Sequence, residues 1–150
     1  PNNSYVVGTV AYHPTDPYTL IFNVDSDTIP SNTLDSVNSI IDPTKSVPGG
    51  TLPAASANQR YLILNDIGDV DNTDGADAWK SANDVDLVAG AFDIIEYDGQ
   101  NWYVVFDASE HSQTEYVTNQ KTGIQYKWTG SEWIKSYEGE YTNGEWSLVL

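Results

Sequence analysis

Tyr97-Asp98-Gly99-Gln100-Asn101-Trp102, Trp128-Thr129-Gly130-Ser131-Glu132-Trp133 and Tyr141-Thr142-Asn143-Gly144-Glu145-Trp146 share one arrangement: an aromatic, four turn-forming residues that include a glycine, then tryptophan. Glycine admits the positive φ that a tight turn demands, and an aromatic on each side of a four-residue loop can face its partner across two antiparallel strands. Each stretch therefore predicts a β-hairpin with an aromatic pair at its neck. Flanking runs carry the strands onward: Ile94-Ile95-Glu96 with Tyr103 to Phe106, Ile124 to Tyr126 with Ile134 to Tyr137, and Ser147 to Leu150. Thr114 to Thr118 adds a short strand before the second hairpin. Trp102 and Trp133 lie 31 residues apart but Trp133 and Trp146 only 13, a spacing too irregular for a propeller or solenoid.

Upstream, the Tyr- and Val-rich run Ser4 to Tyr12, the turn formers His13-Pro14-Thr15-Asp16-Pro17 and the run Tyr18 to Val24 read as strand, turn and strand. Residues 25–58 are punctuated by Pro30, Pro43, Pro48, Gly49, Gly50 and Pro53. Leu34, Val37, Ile40 and Ile41 fall on one helical face behind a capping Ser31 or Asn32, which predicts one short helix; the remainder reads as a surface linker. Arg60 to Asn65 resumes as a buried strand, and Asp66 to Asp86, with seven aspartates against Lys80, is a loop. The expected fold is mainly β: antiparallel hairpins forming a small sandwich or sheet-based domain, with long irregular loops and at most one or two short helices. Residues 1–58 form an N-terminal hairpin plus Pro/Gly/Ser-rich linker and 59–150 an aromatic hairpin domain, as two small lobes or one continuous unit.

Composition bounds the function. At 150 residues the chain is one domain, and its 10 Tyr, 5 Trp and 3 Phe supply the buried area of a folded core. Twenty-two acids against six cations (Lys45, Arg60, Lys80, Lys121, Lys127, Lys135) leave a net charge of −16. Phosphate recognition needs clustered Lys and Arg, so nucleic acid and anionic membrane surfaces are disfavoured partners. Nothing in the sequence reads as a membrane span or a signal peptide. With no cysteine there are no disulfides, thiol catalysis or thiolate metal sites. A chain that begins at Pro1 rather than Met reads as a processed product or a segment of something longer, and its few Lys and Arg offer trypsin-like proteases few cuts.

Arg60-Tyr61-Leu62-Ile63, Ala78-Trp79, Asp93 to Gly99 with Trp102, and Tyr126-Lys127-Trp128-Thr129-Gly130 with Trp133 together resemble a module of tailed-bacteriophage virion proteins, found in tail fibres and structural proteins of T4-like marine phages. The resemblance spans about residues 60–146. It implies a structural or adhesive part of a virion tail, baseplate or fibre, with other virion proteins, further copies of itself and a host-surface glycan as the partners to consider. It also implies residence in the extracellular particle after assembly in the host cytoplasm. The stretch between Asn65 and Ser81 is longer and more acidic than that pattern.

Candidate sites are few. Asp69, Asp71, Asp74 and Asp77, with Gly75 between, approach a calcium loop because hard Ca²⁺ takes six to eight oxygens on a sharply turning chain. Glycine is one position late for an EF-hand and Lys80 stands where its last carboxylate belongs, so a solvated acidic loop is the preferred reading and no cofactor is expected. Tyr126, Trp128, Trp133, Tyr137, Tyr141 and Trp146 lie in residues 121–150, whose net charge is only −1; dense aromatics with little charge suit an interface core or a sugar-stacking platform. No G-x-S-x-G elbow, phosphate-binding glycine loop or His pair at ligand spacing occurs, and no pair of acids stands out as a glycosidase couple. The preferred reading is a non-catalytic virion component, ahead of a carbohydrate-binding module and of a calcium-stabilised bacterial surface or secreted domain.

Overall fold

Continuous apolar runs make strands that are buried on both faces, whereas alternating runs make strands with one wet face. The short apolar runs Tyr61 to Ile63 and Ile94-Ile95 are of the first kind, and they form the middle of the fold. In the computed structural model, residues 7–68 and 78–136 are described. Nine strands run in chain order: β1 (Gly8–Tyr12), β2 (Leu20–Val24), β3 (Ser39–Ile41), β4 (Gln59–Ile63), β5 (Ile94–Tyr97), β6 (Trp102–Phe106), β7 (Glu115–Asn119), β8 (Ile124–Trp128) and β9 (Trp133–Lys135). They build a β1-β2 ribbon, a four-stranded sheet ordered β3-β4-β5-β6 and a three-stranded sheet ordered β7-β8-β9, antiparallel except for β3 against β4. Helical structure among the described residues is confined to single 3-10 turns at Ser26–Thr28 and Ala82–Asp84. The protein is mainly β, as its hairpin signatures predict.

The four-stranded sheet is filled from both sides. On one face Ile41, Tyr61, Ile63, Ile95 and Trp102 pack with Ile67, Trp79, Leu87 and Ala89, which the connection from β4 to β5 folds back over them. On the other, Leu62, Ile94 and Phe106 pack with Val37, and with Val117 and Trp128 from the three-stranded sheet. A register shift between Ile94 and Ile95 decides where Phe106 goes. Val104 pairs Ile95 but Phe106 pairs Ile94, so Val105 is the extra residue of a bulge. The bulge delivers Phe106 to the face opposite Trp102.

The predicted helix at 34–41 is not formed. Residues 32–41 instead form a bent, non-helical seam between the two sheets: the Thr33 and Leu34 amides donate to the Tyr116 carbonyl, Val37 N donates to Thr118 O, and Asn38 N donates to Arg60 O. Val37 makes a parallel bridge to Asn119, and Ser39 to Ile41 become β3. Leu34, Val37 and Ile40 still share one core, but a seam bent at Thr33, Leu34 and Asn38 places them there and Ile41 enters the other. Neighbouring strands satisfy the seam's amides, and the β-branched Val37, Ile40 and Ile41 favour that conformation.

The β3–β4 pairing crosses the expected division at residue 58. Nor is 42–58 a plain surface linker: Pro43 is fully buried, while Leu52 and Ala55 pack against the Trp79 core. Asp42 holds the first turn, accepting from the Thr44 amide (3.1 Å), the Thr44 hydroxyl (2.6 Å) and the Asn65 amide group (3.0 Å) while pairing with Lys45 at 2.7 Å. These packing roles set an expected contrast in mutants. Trp128→Ala should cost about 3–5 kcal/mol, while Tyr18→Ala, in the exposed β1–β2 turn, should stay within about 0.5 kcal/mol; chemical unfolding of the two variants against the parent measures both.

Candidate functional site

Both predicted hairpins in the described region form with the expected aromatic pairs directly opposite each other: Tyr97 with Trp102, and Trp128 with Trp133. Their rings lie 5.1 and 5.4 Å apart. Gly99 (φ 106°) and Gly130 (φ 97°) supply the left-handed turn positions. Asp98 completes the first turn by accepting from the amides of Gln100 and Asn101, both at 2.7 Å. Those amides, Asn101 first, hold its carboxyl below the ordinary aspartate value. In the second turn the Thr129 amide donates to the Glu132 carbonyl at 3.0 Å. The third signature, Tyr141 to Trp146, lies outside the described residues.

Each neck extends into an aromatic cluster. Trp102 meets Trp79 edge-on at 4.8 Å and stacks on Tyr61 at 5.7 Å. Phe106 meets Trp128 edge-on at 5.7 Å and lies 5.2 Å from Trp133. Edge-on and offset geometries suit the ring quadrupoles and add to the burial itself. The indoles also bind backbone: Trp128 Nε1 donates to His111 O at 2.7 Å, and Trp133 Nε1 to Phe92 O at 2.9 Å. Phe92 sits at φ 75°, a strained conformation for a bulky residue. It persists because its amide donates to Ile63 O at 2.7 Å while its carbonyl takes the Trp133 indole.

This geometry corrects one expectation. Trp128 is a core residue, with neither interface nor sugar-stacking surface to offer, because the packing of β8 on the central sheet covers its ring. Tyr126 and Trp133 are half-buried against the same cluster, while Tyr137, Tyr141 and Trp146 lie outside the described residues. So do Asp69, Asp71, Asp74 and Asp77. Among the described residues no group of three or more His, Asp or Glu is arranged to hold a metal ion.

The acid that sequence reasoning missed is Asp93. It is buried, and its carboxylate accepts from the amides of Gly90 (2.8 Å) and Ala108 (2.7 Å), bracketing the strained turn to the chain leaving β6. Burial pushes its pKa up, against the pull of those two amides and with help from the charges of Asp107 and Asp66. An aspartate just before an apolar strand carries no spacing signal for this role. Asp42 is the opposite case: Lys45 foremost, then Thr44, hold its carboxyl well below the usual range. The two histidines serve turns. His13 Nδ1 accepts from the Asp16 amide at 3.0 Å, and His111 Nδ1 lies 2.7 Å from Asp107 O with its ring beside Phe106.

No family model, no curated protein and no solved structure matches this chain.

The acids define a pH response. Asp42, with its folded-state pKa lowered, contributes stability that is present above the ordinary aspartate value and lost as pH falls through the depressed one. Asp93, with its pKa raised, works in reverse: its contribution is full below the ordinary value and lost as pH rises through the raised one. Urea midpoints between about pH 6 and pH 3, the range around the ordinary aspartate pKa, should therefore fall less steeply in Asp42→Asn and more steeply in Asp93→Asn than in the parent. For the acidic loop, calcium is expected to raise the melting temperature no more than magnesium at equal ionic strength.

Proposed function

We propose that the chain is a structural, non-catalytic module of a bacteriophage virion, a part of the tail, baseplate or fibre that mediates assembly or attachment. The observation that carries this reading is where the tryptophans go. Trp79, Trp102 and Trp128 are buried, and Trp133 is half-buried and bonded to backbone through its indole. A sugar platform needs two or three aromatic faces exposed in one plane beside amide or carboxylate groups. Here those rings knit hairpins to the sheets, as a load-transmitting part requires. The paired aromatic rings at the necks and the resemblance of residues 60–146 to virion modules point the same way, and the histidines are occupied in turns.

Gold-labelled antibody raised against the purified domain tests the reading by electron microscopy of particles released from the host. Label is expected on the tail, baseplate or fibres of intact particles. Label confined to cell surfaces or to the soluble secreted fraction would overturn it in favour of a bacterial surface or secreted domain.

A further inference from the structure

The β1-β2 ribbon presents an apolar face to the outside. Val10 pairs Phe22 and Tyr12 pairs Leu20, and the period of two along each strand puts Gly8, Val10, Tyr12, Leu20, Phe22 and Val24 on one face, with Thr9, Ala11, Ile21 and Asn23 on the other. The first face holds no polar group except the Tyr12 hydroxyl. Tyr12 is 84% exposed, Leu20 60%, Val10 46% and Phe22 45%. The Phe22 ring covers Gly8, where a Cβ would come within 2.9 Å of it. Neither core cluster includes a ribbon residue, and among the described residues the hydrogen bonds of 7–28 close within 7–29. A two-stranded ribbon alone is marginal in water and needs a further surface against its apolar side.

We propose that this face is a contact between two copies of the chain, ribbon packed on ribbon. Charge selects that occupant. Neither strand carries a charged residue; the ribbon's charges lie at its two ends, Asp16 at the turn, where it accepts from the Tyr18 amide and the Thr19 hydroxyl, and Asp25 and Asp27 just beyond β2. A basic partner attracted by the net charge of −16 finds nothing to read here. A second copy is repelled by the acidic remainder, yet meets no like charge on this face. A two-fold contact needs a self-complementary patch, and an uncharged apolar ribbon face is one. The four side chains leave on the order of 400–500 Å² exposed per copy, taking about 150–250 Å² for a large side chain; covering both copies approaches the ~1,000 Å² at the low end of specific interfaces. The contact is weak and concentration-dependent in the free protein. It also strengthens with salt, because salt screens the repulsion between the acidic bodies. The proposal stands independently of the virion reading.

Sedimentation equilibrium of the purified chain over a range of concentrations, at low and at high sodium chloride, is expected to show a monomer-dimer equilibrium that shifts to dimer as salt rises. Phe22→Glu should abolish the dimer and leave the tryptophan fluorescence of the body unchanged. Because the chain has no native cysteine, Val10→Cys and Thr9→Cys place single thiols on opposite faces of one strand. Oxidation should cross-link Val10→Cys several-fold faster than Thr9→Cys. A monomer at every concentration and salt, or equal cross-linking of the two cysteine variants, would overturn the proposal and assign the face to a different protein.

Discussion

Burial of β4 and β5 on both faces is the constraint from which the rest of the architecture follows. A strand pair with Leu62 and Ile94 on one side and Tyr61, Ile63 and Ile95 on the other cannot have a wet face. It needs two covers, and the chain provides two of different kinds. One is the β7-β8-β9 sheet, which brings Val117 and Trp128. The other is the connection between β4 and β5, an acidic stretch that still places Ile67, Trp79, Leu87 and Ala89 over the sheet. A bridge between Ile67 and Ala89 ties its two ends, and another between Lys80 and Asp86 closes a turn within it.

The covers are registered to the central sheet by polar groups at the seams. Arg60 reaches Asp35 on the seam at 2.9 Å and lies 3.3 Å from Glu96 on β5. Asn38 accepts from the Arg60 amide and donates to the Gln120 side chain. Gln125, buried on β8, donates to Pro30 O and Asn32 Oδ1 while accepting from Ser136. A buried amide that finds partners for both its ends, as Gln125 does, fixes one arrangement of apolar layers among several of similar burial. The strained turn at Phe92 belongs to the same scheme, since Asp93 on one side and the Trp133 indole on the other hold it in place.

Charge and apolar surface are segregated along the chain. The sequence between β4 and β5 is rich in aspartate, and the first 44 residues contain no Lys or Arg. The ribbon combines an exposed apolar face with uncharged strands. A strongly anionic surface keeps such a patch from promiscuous association, because any approach in the wrong orientation meets repulsion first.

The amino-acid sequence by itself determined the hairpins: glycine in the turn and an aromatic at each end are local requirements, satisfied within six residues, so Tyr97–Trp102 and Trp128–Trp133 form where their spacing says. The buried character of β4 was legible too, because a strand without a wet face has no alternation to hide. Tertiary structure decided the rest. Spacings of three and one between Leu34, Val37, Ile40 and Ile41 fit a helix face better than a strand of period two, and only the carbonyls of Tyr116, Thr118 and Arg60, with bends in the chain at Thr33, Leu34 and Asn38, selected the seam. The bulge at Val105 depends on its pairing with β5, and the bracket at Asp93 on Ala108, fifteen residues on. Alternation in β1 and β2 predicts an apolar face whether or not anything covers it; exposure is a property of the whole packing, and no single strand encodes it.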